Sequence, residues 1–214
     1  MTRTAGNAAF WEKHYRSATA RTLPVRPNPV LVDVVTHRSR VPGHVLDLGS
    51  GLGGDAVWLA RQGWQVTAVD VAPHAVDHTL AAAAHAGVAR SVTGHVLDVG
   101  DALPAGDFDL VSACYLTTCV EVDRADVLHR AAAQVVPRGL LLVVDRAPLG
   151  PAEPSSPPSP AQVLGAIGLG PGWATEELAT RVRTARGPGG RRAQVADHVV
   201  VARRTSHARV SRPR

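Results

Sequence analysis

Residues 44–70 read His44-Val-Leu-Asp47-Leu-Gly49-Ser-Gly51-Leu-Gly53-Gly-Asp55-Ala-Val-Trp-Leu-Ala-Arg-Gln-Gly63-Trp-Gln-Val-Thr-Ala-Val-Asp70. Val45, Leu46 and Leu48 make an apolar run of the length of a buried strand. Glycines follow at 49, 51, 53 and 54, where the backbone can turn tightly and a ligand can approach without meeting a Cβ. Ala56 to Gln62 reads as a helix, with Val57, Leu59 and Ala60 apolar and Gly63 as its stop. Gln65 to Val69 is a second apolar strand, and it ends in Asp70. Strand, glycine turn, helix and strand form one right-handed βαβ unit. A carboxylate about 20 residues past the glycines stands where such units bind a ribose hydroxyl pair.

Two ligand classes use this geometry. Gly49, Gly51 and Gly54 satisfy the spacing of a dinucleotide-binding loop, so a nicotinamide-dependent oxidoreductase is one reading. Two acids favour a cationic ligand instead. Asp47 brings a carboxylate to the loop, which suits a positive group better than a pyrophosphate. Asp55 lies in the helix's first turn, where it competes with a phosphate for the helix dipole. A bare turn without a ligand would need neither four glycines nor two flanking acids.

The alternation continues outward. Upstream, Ala8 to Ala18 carries Phe10, Trp11, His14 and Tyr15 on a helical stripe, which either docks on the core or lies over a pocket. Asn28 caps and Pro29 opens a helix to about Arg40, after a stiff connector at Pro24, Pro27 and Pro29. Downstream, an alanine-rich helix runs from Pro73 to His85 and closes at Gly87. Ser91–Leu97 and Asp107–Cys114 are the third and fourth strands. A helix from Arg124 to Val136 is broken by Pro137-Arg-Gly139, and Leu140–Val144 is a fifth, wholly apolar strand of the central parallel kind. This pattern predicts an α/β fold, a doubly wound Rossmann-like sheet, mostly parallel, with helices on both faces and an antiparallel C-terminal strand. Beyond Asp145, Pro148 to Pro160 reads as a loop or lid and Thr175–Val182 as a short helix. Gly187 to Arg192 reads as a turn and Asp197–Ala202 as the last strand. The sixth strand is either Arg191–Val195 or Arg181–Ala185. The expected division is an N-terminal helical cap over 1–42, the sheet domain over 43–202 and a basic tail over 203–214.

The 214 residues suit one domain and, at 45% hydrophobic, bury a real core. No apolar run has transmembrane length, and the first nine residues lack a secretory h-region, so no membrane partner is expected. Cys114 and Cys119 are the two cysteines, which points to a reducing, cytoplasmic setting. The net charge of +5 is unevenly placed: residues 181–214 hold 10 of the 23 basic side chains and one of the 18 acids, Asp197. The tail reads as solvated chain rather than a nucleic-acid arm. His74, His78 and His85 are spaced by four and seven but lack a further ligand in context, so no metal is assigned.

The string Asp47-Leu-Gly49-Ser-Gly51-Leu-Gly53 resembles the first motif of class I S-adenosylmethionine-dependent methyltransferases. The chain is most similar to their small-molecule branch, the tellurite-resistance and thiopurine methyltransferases. Phe10 to Tyr15 resembles the aromatic N-terminal segment of that branch, Phe108 to Val111 its fourth strand, and Asp98 the acid that bonds the adenine amino group. The resemblance covers roughly residues 7–146. It implies S-adenosyl-L-methionine as cofactor and a binding set of Asp47, Gly49, Ser50, Gly51, Gly53, Asp70, Val71, Asp98, Val99, Cys114 and Trp11. Cys114 either lines the pocket or is a small buried hydrophobe. Methyl transfer from a sulfonium depends chiefly on positioning. His14, Tyr15, Tyr115, Glu121 and Asp145 are candidate bases, and spacing selects none, so no catalytic residue is assigned. The expected activity is methylation of a small-molecule acceptor. The alternatives are the oxidoreductase and a non-catalytic cofactor-binding module with a nucleic-acid-binding tail.

Overall fold

Apolar strands that carry side chains on both faces need helices on both sides, and the chain supplies them. The structure, a computed structural model, describes residues 3–17, 25–39, 41–117, 122–149, 157–186 and 191–206. Cys119, Glu121, Pro24, the Gly187–Gly190 turn, most of the Pro148–Pro160 loop and the end of the tail lie outside them. The strands are β1 (His44–Leu48), β2 (Gln65–Asp70), β3 (Val92–Val96), β4 (Phe108–Cys114), β5 (Val135–Ala147), β6 (Trp173–Arg186) and β7 (Arg192–Arg204). They form one sheet in the order β3-β2-β1-β4-β5-β7-β6. β1 to β5 are mutually parallel, while β7 runs antiparallel to both β5 and β6.

The helices are α1 (Arg3–Arg16), α2 (Pro29–Arg38), α3 (Gly54–Arg61), α4 (Pro73–His85), α5 (Arg124–Ala133) and α6 (Pro160–Ile167). Successive side chains of a strand point to opposite faces. Leu140, Leu142 and Val144 of β5 therefore join the α2 and α3 residues Leu31, Val34 and Leu59 in one core layer. Leu141 and Val143 join Leu128 of α5 and Ile167 of α6 in the other. Asn28 caps α2 as expected, its side chain accepting from the Val30 N–H at 2.9 Å.

The C-terminal third differs from the sequence reading. Residues 175–182 are not a helix: they lie in β6, which pairs with β7 from Trp173↔Arg204 to Arg186↔Arg192. The Glu176-Glu177 pair behind Thr175 imitates a helix start, but these residues follow a period of two. Odd positions from 177 to 185 are partly covered and even positions exposed. Of the two candidate sixth strands, Arg181–Ala185 falls in β6, whereas most of Arg191–Val195 belongs to β7. β7 also runs on to Arg204, two residues into the expected tail. Arg203 there donates to the carbonyls of Arg38 and Arg138 and pairs with Glu176.

Helix α6 has no counterpart in the sequence reading. Its signal is a capping box: Ser159 accepts from the Gln162 N–H, the Gln162 side chain accepts from the Ser159 N–H, and Pro160 opens the helix. Helix α5 stops at Ala133, three residues before the expected end, because Val135 already pairs with Phe108. The β4–β5 register then jumps to Leu110↔Leu140, so Pro137-Arg-Gly139 bulges from the ladder, with Arg138 at φ +71°.

β6 is tied to α2 by charge. Arg181 pairs with Glu177 and Asp33, each at 2.7 Å, and Arg38 reaches Glu177. Hydrogen bonds from Arg181 hold the Asp33 and Glu177 carboxyls below the usual carboxylate range. Such groups stabilise the fold above their unfolded pKa, and the contribution disappears as pH falls through the depressed native values. Arg181→Ala should cost about 1 kcal/mol at pH 7, after allowance for solvent screening of these half-exposed groups. Denaturant melts should show the gap to wild type closing as the buffer is taken below pH 4.

Candidate functional site

The sheet order reverses between β1 and β4, and the crevice beyond the carboxyl ends of β2, β1 and β4 is where open α/β sheets bind ligands. The glycine loop forms its floor. Gly49 and Ser50 both donate to the Val69 carbonyl, at 2.8 and 2.9 Å, which folds the loop back onto β2. Gly49 has φ +70°, and a Cβ there would stand 2.9 Å from a Leu116 methyl carbon. At Gly54 a Cβ would come within 2.4 Å of the Arg26 carbonyl. No larger residue fits either place without moving backbone or core.

Two cavities open on this loop. The first is walled by Asp70 and Val71 after β2, Asp98 and Val99 after β3, and Asn7 and Trp11 of α1. The second is walled by Asp47, Ser50, Asn28, Asp55, Arg26 and Cys114. Gly49 and Tyr115 line both, so they stand between the two halves of one crevice. Of the predicted binding residues, nine lie in these walls. Gly51 and Gly53 do not; they shape the loop from behind. Gly51 donates to Asp70 Oδ2 at 2.9 Å, and its carbonyl accepts from the Thr79 hydroxyl. Trp11 stacks on Tyr15 at 5.8 Å and faces the cavity rather than either core layer.

The second half of the crevice is acidic and buried. Burial, then the neighbouring Asp55 and Asp70 charges, push the Asp47 carboxyl well above its ordinary range. Burial raises Asp55 as well, against hydrogen bonds from the Asn28 N–H at 2.5 Å and from the Cys114 thiol. Asp70 is raised by burial although it accepts from the N–H groups of Gly51 and Ala72 and from the Tyr15 hydroxyl. Among the described residues no basic side chain pairs with any of the three. Asp47 Oδ2, Ser50 Oγ and Asn28 Nδ2 are buried without a hydrogen-bond partner. Burial, followed by the Asp55 charge, holds the Cys114 thiol firmly protonated, so Cys114 is cavity wall and not a nucleophile.

Helix α1 closes the other half. Asn7 donates to Asp98 Oδ2 at 3.1 Å, Thr4 to Asp101 at 2.5 Å, and Glu12 accepts from the His74 N–H at 2.9 Å. Tyr15 completes the series on Asp70. Asn7, Asn28 and Arg26 were not singled out from the sequence as site residues. Asn28 was legible only as a helix cap, and Asn7 stands one position ahead of the helix start expected there. Tyr115, one of five candidate bases, proves to be structurally distinct. It is a bulky residue at φ +57°, its hydroxyl donates to Asp197 at 2.6 Å, and it accepts from Arg183 at 2.9 Å. Burial and Asp197 push its pKa up to about 12, which removes it as a base near neutrality.

The His74, His78 and His85 series gathers nothing: His78 bonds the Leu52 carbonyl, and no cluster of metal-ligating side chains occurs among the described residues. No helix among them is long and apolar enough to cross a membrane.

The chain is similar to known proteins in sequence family and in fold. Residues 45–139 match the profile of a family described as a methyltransferase domain. A 58-residue stretch is 43% identical to the ribosomal RNA small subunit methyltransferase C of Alcanivorax borkumensis; it covers 27% of this chain and 18% of that protein's length. Among solved structures, one from work on the conversion of a disulfide bond into a thioacetal group during echinomycin biosynthesis superposes with a TM-score of 0.75. It is 21% identical, over 94% of both chains. TehB from Haemophilus influenzae gives 0.66 at 16% identity, over 93% of this chain and 67% of its own. The 1,6-didemethyltoxoflavin-N1-methyltransferase of Burkholderia thailandensis, solved with S-adenosylhomocysteine, gives 0.64 at 20% identity, over 96% and 92%. Residues 45–139 are thus a methyltransferase domain, and the described chain as a whole carries the class I S-adenosylmethionine-dependent methyltransferase fold.

Proposed function

We propose that the protein transfers the methyl group of S-adenosyl-L-methionine to a small-molecule acceptor in a reducing, cytoplasmic compartment, with residues 1–42 acting as a helical cap. The observation that carries this reading is the unpaired acidic pocket. Three buried carboxylates with no basic side chain paired to them among the described residues, one of them with an orphaned oxygen, are unfavourable until a cationic ligand joins them. A cofactor with a sulfonium and an ammonium group fits that charge, whereas the pyrophosphate of a nicotinamide dinucleotide would be repelled by it.

When bound, the cofactor supplies an electrophilic methyl on a sulfonium whose leaving group departs as a neutral thioether. Asp47, Ser50 and Asn28 would hold its amino-acid end, Asp70 the ribose hydroxyls and Asp98 the adenine edge. Asp70 and Asp98 already accept hydrogen bonds from Tyr15 and Asn7, so α1 must yield or share those oxygens as the nucleoside enters. Trp11 and Tyr15 then shed water from the reacting centre and offer a cation an aromatic face, a contact worth about 0.5–2 kcal/mol.

Calorimetric titration with S-adenosylhomocysteine and with NAD tests the reading: binding of the first and not the second is expected. Asp70→Ala should weaken S-adenosylhomocysteine binding by about 1.5–3 kcal/mol, the scale of charge-assisted hydrogen bonds, and leave the fold intact. Unchanged affinity would remove Asp70 from the site.

The raised carboxyls also predict a pH dependence of the free protein. An acid whose native pKa lies above its unfolded value stabilises the fold most below the unfolded value, near 4, and loses that contribution as pH rises through the raised native value. These three acids should therefore make the free protein less stable as pH rises above about 4. Asp47→Asn should flatten this loss while lowering S-adenosylhomocysteine affinity by about tenfold or more. Melts across pH and a titration of the same variant check both halves.

A further inference from the structure

Tyr115 faces a third cavity, one that the cofactor reading leaves unused. Tyr115, Leu116 and Thr117 line it on one side and the nucleoside half of the crevice on the other; Arg124, Asp145, Arg146, Pro157 and Pro158 complete it. Three guanidinium groups gather here, and two are neutralised. Arg124 pairs with Asp145 at 2.6 Å and also donates to the Leu116 carbonyl. Arg183 pairs at 2.5 Å with Asp197, which is only 1% exposed. Arg146 is different. No carboxylate pairs with it and no protein acceptor takes its N–H groups among the described residues, and its guanidinium stands 5.1 Å from the centroid of the Tyr115 ring.

That contact orients Arg146 without neutralising it. A guanidinium placed over an aromatic face keeps its edge donors free, and those donors match a carboxylate bidentately. The ring beneath is itself anchored, because Asp197 and Arg183 hold its hydroxyl. The cavity wall thus carries one uncompensated positive charge on a rigid platform, next to the cofactor crevice. A neighbouring groove that shares Arg124 and Pro158 is lined by Leu128, Val163 and Ile167, room for an apolar body.

We propose that this cavity binds the methyl acceptor and that the acceptor is a small organic anion, a carboxylate held by Arg146. The proposal rests on the methyltransferase reading above, since it is the shared wall of Tyr115, Leu116 and Thr117 that sets one ligand beside the other.

Calorimetry on the full chain separates the two claims. S-adenosylhomocysteine is titrated first. Acetate, benzoate and indole-3-acetate, each against its amide, are then titrated into the protein with and without S-adenosylhomocysteine. Wild type should prefer at least one carboxylate over its amide by about tenfold. Arg146→Gln should erase that preference and leave S-adenosylhomocysteine affinity unchanged, and Arg146→Lys, which keeps the charge, should retain part of it. Equal binding of acids and amides by wild type, or a preference that survives Arg146→Gln, overturns the anion site. Failure of S-adenosylhomocysteine to bind overturns the methyltransferase reading instead. In that case an Arg146-dependent carboxylate preference still upholds the anion site, and its absence removes both.

Discussion

Three carboxylates crowd one glycine loop. Asp47 is the penultimate residue of β1, Asp70 ends β2, and Asp55 lies in the first turn of α3, so the βαβ unit that makes the fold also delivers all three acids to one crevice. Burial raises the pKa of each, and Asp47 is further raised by the charges of the other two. A protein selected for stability alone would replace such a group or pair it with a base. Retaining it unpaired concentrates negative potential where the chain has left room for a ligand, and groups of strongly shifted pKa in a cleft mark functional sites for this reason. Asp55 adds a structural task, since it accepts the Asn28 N–H and so fixes the start of α2 against the loop.

The cap obeys the same electrostatics. Four side chains of α1 bridge to the rim of the crevice: Thr4 to Asp101, Asn7 to Asp98, Glu12 to the first turn of α4, Tyr15 to Asp70. Three of the four supply a donor to an acid. Apolar side chains of α1 belong to neither core layer, and Phe10 is 51% exposed. A helix held by polar contacts at its edges and by little apolar burial belongs to the low-stability end of a structure, where moving elements are found. Seating of α1 is therefore governed by the same oxygens that a nucleoside's hydroxyl and amino groups would seek.

Much of this could be read from the chain. The Asp47-to-Gly53 string, the acids at 70 and 98 and the apolar strands place the sheet and one wall of the crevice, because buried parallel strands and glycine turns write themselves locally. What escaped was decided by distant partners. β6 is an edge strand whose pattern is charged on one side and mixed on the other, with Leu178 and Val182 exposed. Its identity comes from pairing with β7 and from Arg181 reaching Asp33, 148 positions away. Two glutamates behind a threonine outweighed it locally. Asn7 and Arg183 are likewise ordinary polar residues in sequence and become site residues only through contacts 91 and 68 positions away. Helix α6 was legible in principle: Ser159-Pro160-x-Gln162 with Gly168 at the far end is a complete set of boundary signals.

Tyr115 stands between the glycine-loop crevice and the cavity beyond it. Its N–H still extends the ladder, bonding the Val144 carbonyl at 2.7 Å, but its φ of +57° turns the chain out of the sheet. For a residue with a large side chain that conformation costs on the order of 1–3 kcal/mol and persists only where surroundings over-determine it. Here they do: Asp197 and Arg183 hold the hydroxyl and Arg146 covers the ring. These partners come from β5, β6 and β7, so the antiparallel C-terminal strands, which add nothing to the glycine loop, fix the residue that separates the cofactor crevice from the cavity beyond it. The strain has a geometric result. A strand that continued straight would carry residue 115 further along the sheet; the reversal instead turns one ring toward both ligand spaces.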